Sequence, residues 1–198
     1  TKHGVKFWKH LLPENWYAKD WFEAKCERLI GTSAVYKVPT KEINGRILNL
    51  VVKWSRVGEQ VPIDTLTINR FINAEFNSPF EELSLVTELR ENKTGPSGIR
   101  VNVQRPLGIY VPSKRLQLWQ TGRSEAKIAA KIARHPGVEL DILRQYVLLF
   151  EWIKGYDAVE TAAKLGLTGI ARDEFLARFT TLAIHELQQK GYRVIDMQ

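Results

Sequence analysis

Few residues in this chain could take part in chemistry. Gly31 sits in a short polar turn, Lys53 closes the apolar run Leu50-Val-Val-Lys53, and Glu82 lies just inside a helix start. Glu151 and Asp157 flank the end of an apolar run, and Asp196 lies near the C-terminal end. With 29 Lys and Arg against 22 Asp and Glu, the net charge of +7 favours a partner that carries phosphate: a nucleotide, a nucleic acid or an anionic lipid. Other chemistries lack their residues. Cys26 is the single cysteine, so no internal disulfide can form and no Cys/His cluster has zinc spacing. His3, His10, His135 and His185 are scattered, and no nucleophile elbow, Walker loop or paired-carboxylate arrangement supports a hydrolase.

The elements that must position these residues are readable from pattern. Phe7, Trp8, Leu11, Leu12, Trp16, Trp21 and Phe22 predict one or two short helices with an aromatic face in residues 1–25. This extension is expected to pack on the main domain, with a protein-binding surface as the alternative. From Glu27 to Trp54 the pattern predicts three antiparallel strands, with Asn44-Gly45 as a hairpin turn. Ser78-Pro-Phe-Glu81 reads as a capped helix start, with Phe80, Leu83, Val86 and Leu89 inward and a stop at Asn92-Lys-Thr-Gly-Pro96. Val101-Asn-Val103 and Leu107–Val111 read as strands. Ser124 to Arg134 reads as a helix with a basic stripe of Lys127, Lys131 and Arg134.

Tyr146 to Phe150 is continuously apolar, as a fully buried strand requires. A short helix from Tyr156 to Leu165 follows. A long one runs from Arg172 to Lys190, with Phe175, Phe179, Leu182 and Leu187 on one face and Gly191 as the stop. Tyr192 to Ile195 reads as a last short strand. No apolar stretch approaches the roughly 20 residues that span a bilayer. The N-terminus lacks a signal peptide's apolar region, so a cytoplasmic location is expected.

This order of elements, with its residues, resembles the protein kinase-like fold over roughly residues 26–198. The resemblance implies an α+β chain: an N-terminal helical extension (1–25), then a kinase-like N-lobe of antiparallel sheet and C-type helix (26–153) with an insertion around 113–143. The start of a truncated helical C-lobe (154–198) would follow. Ile30-Gly31-Thr-Ser-Ala-Val-Tyr-Lys-Val38 looks like the glycine-rich loop, with Gly31 over the phosphates and Val38 over the adenine. Ser33 and Tyr36 stand where further glycines are usual. Lys53, 15 positions after Val38, resembles the lysine that holds the α- and β-phosphates, and Glu82 the glutamate that positions it. The run after Phe150 looks like the hinge. There the backbone C=O of Glu151 and the N–H and C=O of Trp152 or Ile153 would face the adenine edge, Phe150 would back the pocket and Asp157 would reach a ribose hydroxyl.

Asp196, 45 positions after Glu151, resembles the residue that orients or accepts the proton of the attacking hydroxyl. Val194 and Ile195 replace the usual His-Arg, and Gln198 stands where a lysine is common. The metal-binding Asn and the Asp-Phe-Gly aspartate have no counterpart in these residues. The resemblance therefore implies the ATP-binding portion of a phosphotransferase, inactive by itself, with magnesium only in a longer parent chain and an unspecified phosphate acceptor. Two rivals stand beside it. One is a non-catalytic kinase-like scaffold. The other is a helix-turn-helix DNA-binding protein, from Asp157-Ala-Val-Glu-Thr-Ala-Ala-Lys-Leu-Gly-Leu-Thr168, with a recognition helix carrying Arg172 and Arg178.

Overall fold

The computed structural model describes residues 1–30, 34–55, 79–117, 126, 129, 130, 133, 141 and 143–192. Asn44 and Gly45 both have positive φ, 53° and 72°, and turn the chain through the hairpin that the Asn-Gly pair predicts. This hairpin joins β2 (Val35–Pro39) to β3 (Asn49–Ser55), and β1 (Glu27–Arg28) lies at the edge. The buried run becomes β5 (Tyr146–Glu151), paired with β3 on one side and with β4 (Pro106–Tyr110) on the other. The result is a five-stranded antiparallel sheet in the order β1-β2-β3-β5-β4, and with its helices it makes an α+β chain. Arg115 pairs with Arg144 beyond β4 and β5, and Asp141 holds Arg115 at 2.9 Å. Within the long interval between Glu82 and Glu151, residues 115 and 144 are thus brought together. Of the helix read over 124–134, only Ala126, Ala129, Ala130 and Ala133 are described, and these are helical and exposed.

Successive strand residues point to opposite faces, which splits the core of the first unit (1–87 and 104–152) in two. One face carries Val38, Leu50, Val52, Leu107, Val147 and Leu149, and residues 1–25 seal it. Its covering helices are α1 (Lys2–Val5), α2 (Trp8–Leu11) and α3 (Lys19–Lys25), with a 3-10 turn at Pro13–Asn15. Trp16 is fully buried and donates its indole N–H to the Leu11 carbonyl at 3.0 Å. A Cβ on Gly4 would fall 1.9 Å from the Leu107 carbonyl oxygen, so only glycine lets α1 lie this close to β4. The other face carries Val51, Leu148 and Phe150, against which Leu83 and Val86 of α4 (Pro79–Arg90) pack.

The second unit comprises 88–103 and 153–198. Its α5 (Ala158–Lys164) opens on a capping box between Asp157 and Glu160. Its α6 (Gly169–Gln189) closes on Gly191 at φ 85°, with Tyr192 N–H bonded to the Leu187 carbonyl and Gly191 N–H to that of Gln188. Lys190 is buried, and among the described residues it pairs with no carboxylate. Its ammonium donates to the carbonyls of Thr94 (3.0 Å) and Pro96 (2.6 Å) and to Asn92 Oδ1.

Several local readings change. Val101–Val103 is not a strand, and the Val103 carbonyl accepts from the Arg90 guanidinium instead of a ladder N–H. Phe80, expected inward, is half exposed, its ring meeting Tyr146 edge-on at 5.7 Å, whereas Leu83, Val86 and Leu89 of α4 turn inward as read. Phe179 and Leu182, expected inward, are 54% and 55% exposed, since a helical stripe is buried only where another layer opposes it. The expected cap at Ser78 lies outside the described residues, and of the strand read over Tyr192 to Ile195 only Tyr192 is described, where it closes α6. Among those described, no helix is long and apolar enough to cross a membrane.

Candidate functional site

The register of the sheet sets the site. Lys53 stands opposite Val35 on β2 and Leu148 on β5, and Val51, two residues earlier, stands opposite Lys37 and Phe150. All six residues therefore share one face, and Lys37 and Lys53 are diagonal neighbours across it. The helix that packs on this face brings Glu82 to Lys53: Nζ to Oε1 is 2.7 Å, with the two side chains 26% and 22% exposed. Glu81 is exposed, and Glu88 belongs to the second unit. A lysine ammonium has three N–H donors. The bond to Glu82 fixes its direction and uses one of them, so the rest can meet an anion's oxygens.

Val38 does not share this face. It is fully buried among the residues that Phe7 and Trp16 cover, so it cannot lie over a base next to Lys53. The reason is a one-residue bulge. Between the Pro39–Asn49 pair and the Ile43–Arg46 bridge there are three residues on one strand and two on the other. A plain hairpin counted from Asn44-Gly45 puts Val38 opposite Val51. The extra residue shifts the register and turns Val38 to the other face. Thr40 closes the bulge, its hydroxyl accepting from the Leu48 N–H at 3.1 Å and its own N–H donating to the Leu48 carbonyl at 2.8 Å. Val35 takes the position beside Lys53. The signal was present in the sequence as a β-rich hairpin, but its offset depends on this buried threonine.

The end of β5 is partly committed to the sheet itself. The Glu151 N–H donates to the Arg105 carbonyl at 3.0 Å, and the Trp152 N–H to the Asn49 carbonyl at 2.9 Å. The Trp152 backbone N–H is therefore not free for an adenine edge. The Glu151 carboxylate is held by Arg105 at 2.7 Å. Phe150 is fully buried beside its cross-strand partner Val51. Ile153 and Asp157 fall in the second unit, where Ile153 is exposed and Asp157 caps α5, its Oδ1 accepting from the Glu160 N–H at 2.7 Å. A capping role explains Asp157 without a ribose. Gly31 and Asp196 lie outside the described residues.

Three residues were not singled out from the sequence for their side chains: Val35, Lys37 and Trp152. Period-two alternation from Lys53 across the hairpin could have found the first two had the bulge been known. Among the described residues, no group of three or more His, Cys, Asp or Glu is placed to hold a metal ion. No family model, curated protein or solved structure matches this chain. The chemistry must therefore be read from the residues themselves.

Proposed function

We propose that the first unit is the nucleotide-binding lobe of a protein kinase-like phosphotransferase, with ATP as its nucleotide. The observation that carries this reading is the 2.7 Å pair between Lys53 on the central strand β3 and Glu82 on α4. In protein kinases a strand lysine and a helix glutamate form such a pair to hold the nucleotide phosphates. On the same face the partly buried Val35 lies beside Lys53, next to the buried Val51 and Phe150, apolar surface of the kind a base would use once uncovered. Lys53 takes the α- and β-phosphates, Glu82 aims it, and Val35 replaces Val38 beside the base. Gly31, Ile153, Asp157 and Asp196 complete the kinase-like reading only by sequence resemblance.

Thermal unfolding with and without ATP tests the reading. ATP is expected to raise the melting temperature of the wild type and to leave Lys53→Ala unmoved, because ligand binding to the folded state adds stability by mass action. A wild type indifferent to millimolar ATP would favour the scaffold reading. Salt-dependent retention on duplex DNA would favour the α5–turn–α6 segment as the binding element. In that segment Arg172 lies 3.8 Å from the Asp173 carboxylate, which opposes a phosphate contact there.

A further inference from the structure

Trp152 is a large aromatic side chain on the Lys53 face to which the nucleotide reading gives no task. Its backbone continues the ladder past β5 through the bond to Asn49, which fixes where the indole starts. The ring packs against the cluster of Val51, Leu148 and Phe150. Across it lies the Lys37 ammonium, 4.9 Å from the ring centroid, within the range of a cation–π interaction. Lys37 is in turn held by Glu27 of β1 at 2.9 Å. The indole is thus clamped between an apolar shelf and a tethered cation.

The shelf under it is the part a base would need. Val51 precedes Lys53 by two residues on the same face, so it is the nearest apolar surface on that strand to the phosphate-binding ammonium, yet it is only 8% exposed. Four partly buried side chains pack on its cluster: Val35 on β2, Leu83 and Val86 on α4, and Trp152, the one of the four that is also held by a cation. We propose that Trp152 is a displaceable cover of the base shelf, latched by Lys37 and Glu27, and that it sets the affinity and base selectivity of the site. The proposal rests on the nucleotide reading of that face. Binding competes with the latched ring, so the apparent affinity is the intrinsic affinity scaled by the fraction of molecules in which the ring has moved.

Removing the latch must therefore tighten binding. Calorimetric titration of the full chain with ATP and with adenosine, for wild type, Trp152→Ala, Lys37→Met and Lys53→Ala, separates the possibilities. Trp152→Ala is expected to bind both ligands roughly 3- to 30-fold more tightly than wild type, the range a cation–π latch of this kind can supply. Lys37→Met, at a partly exposed position of β2, is expected to shift adenosine in the same direction. Adenosine carries no phosphate, so loss of a positive charge cannot mask the effect. Lys53→Ala is expected to lose ATP binding while keeping adenosine binding. If ATP binds in a Lys53-dependent way but Trp152→Ala and Lys37→Met bind adenosine no more tightly, the cover is overturned and the nucleotide site stands. Weaker adenosine binding by Trp152→Ala makes the indole a stacking platform and likewise overturns the cover. If neither wild type nor Trp152→Ala binds ATP or adenosine, the nucleotide reading falls and takes the cover with it.

Discussion

The two faces of the sheet are made from the same strands, residue by alternate residue, and they differ in kind. One face holds six buried aliphatic side chains from β2, β3, β4 and β5 and is closed by Phe7 and Trp16, with an aromatic rim of Tyr17, Phe22, Tyr36, Trp54 and Tyr110. The other holds a smaller buried cluster of Val51, Leu148 and Phe150, with Tyr146 beyond it on β5, and, on the same surface, Lys37 and Lys53 with their carboxylate partners Glu27 and Glu82. The period of two thus puts buried aliphatic side chains and ion-paired lysines on opposite faces of single strands: Val52 belongs to the first and Lys53 to the second. Substitutions on the sealed face should unfold the unit, whereas those on the open face should change what it binds.

The largest expected effect is at Trp16. It is fully buried at the centre of the sealed face, with its indole N–H satisfied and its ring edge-on to Tyr110 at 5.5 Å. Trp16→Ala should cost about 3–5 kcal/mol in denaturant unfolding, through lost burial and the cavity left behind. A loss below about 1 kcal/mol would mean that residues 1–25 are an appendage rather than a wall of the core. Thr40→Val is expected to cost less, about 1–3 kcal/mol. It keeps the volume but leaves the buried Leu48 N–H without its hydroxyl partner. This variant also probes the bulge that assigns Val38 to the sealed face and Val35 to the open one.

On the open face the order of effects reverses. Lys53→Ala should change unfolding free energy by no more than about 1 kcal/mol, since a partly exposed ion pair contributes little. It should nevertheless abolish stabilisation by ATP in the same assay. Equal loss of stability and of ATP response in Lys53→Ala and Trp16→Ala would erase the distinction between the faces.

This division also marks what could be read from sequence. The hairpin at Asn44-Gly45, the buried run Tyr146–Phe150, the α4 helix with Glu82 on its sheet-facing side, and the Gly191 stop are all local signals, and all appear in the structure. Face assignment across β2 was not local: one extra residue near Thr40 inverts it. The Trp152 backbone N–H looked free because its acceptor, Asn49, is distant in sequence, and the capping box between Asp157 and Glu160, a local signal, was not read. Likewise, the aromatic face of residues 1–25 could signal either a core wall or a partner surface, and only the sheet beneath it decides.

The smallest effect expected is a pH dependence confined to the sealed face. Tyr110 lies on the rim, ring to ring with Trp16 and Tyr17. Desolvation raises its phenol above the ordinary value, with a smaller contribution from Tyr17. The protonated phenol is therefore favoured more in the folded chain than in the unfolded one. The sign follows: this contribution to stability is complete below the unfolded value near pH 10 and is lost as pH rises through the higher folded one. Unfolding midpoints of wild type and Tyr110→Phe measured between about pH 8 and about pH 11 should run parallel at first and converge or cross at the alkaline end. A constant offset across that range would show that the hydroxyl titrates alike in both states, and the rim of the sealed face would then be as wet as the open face that carries Lys53.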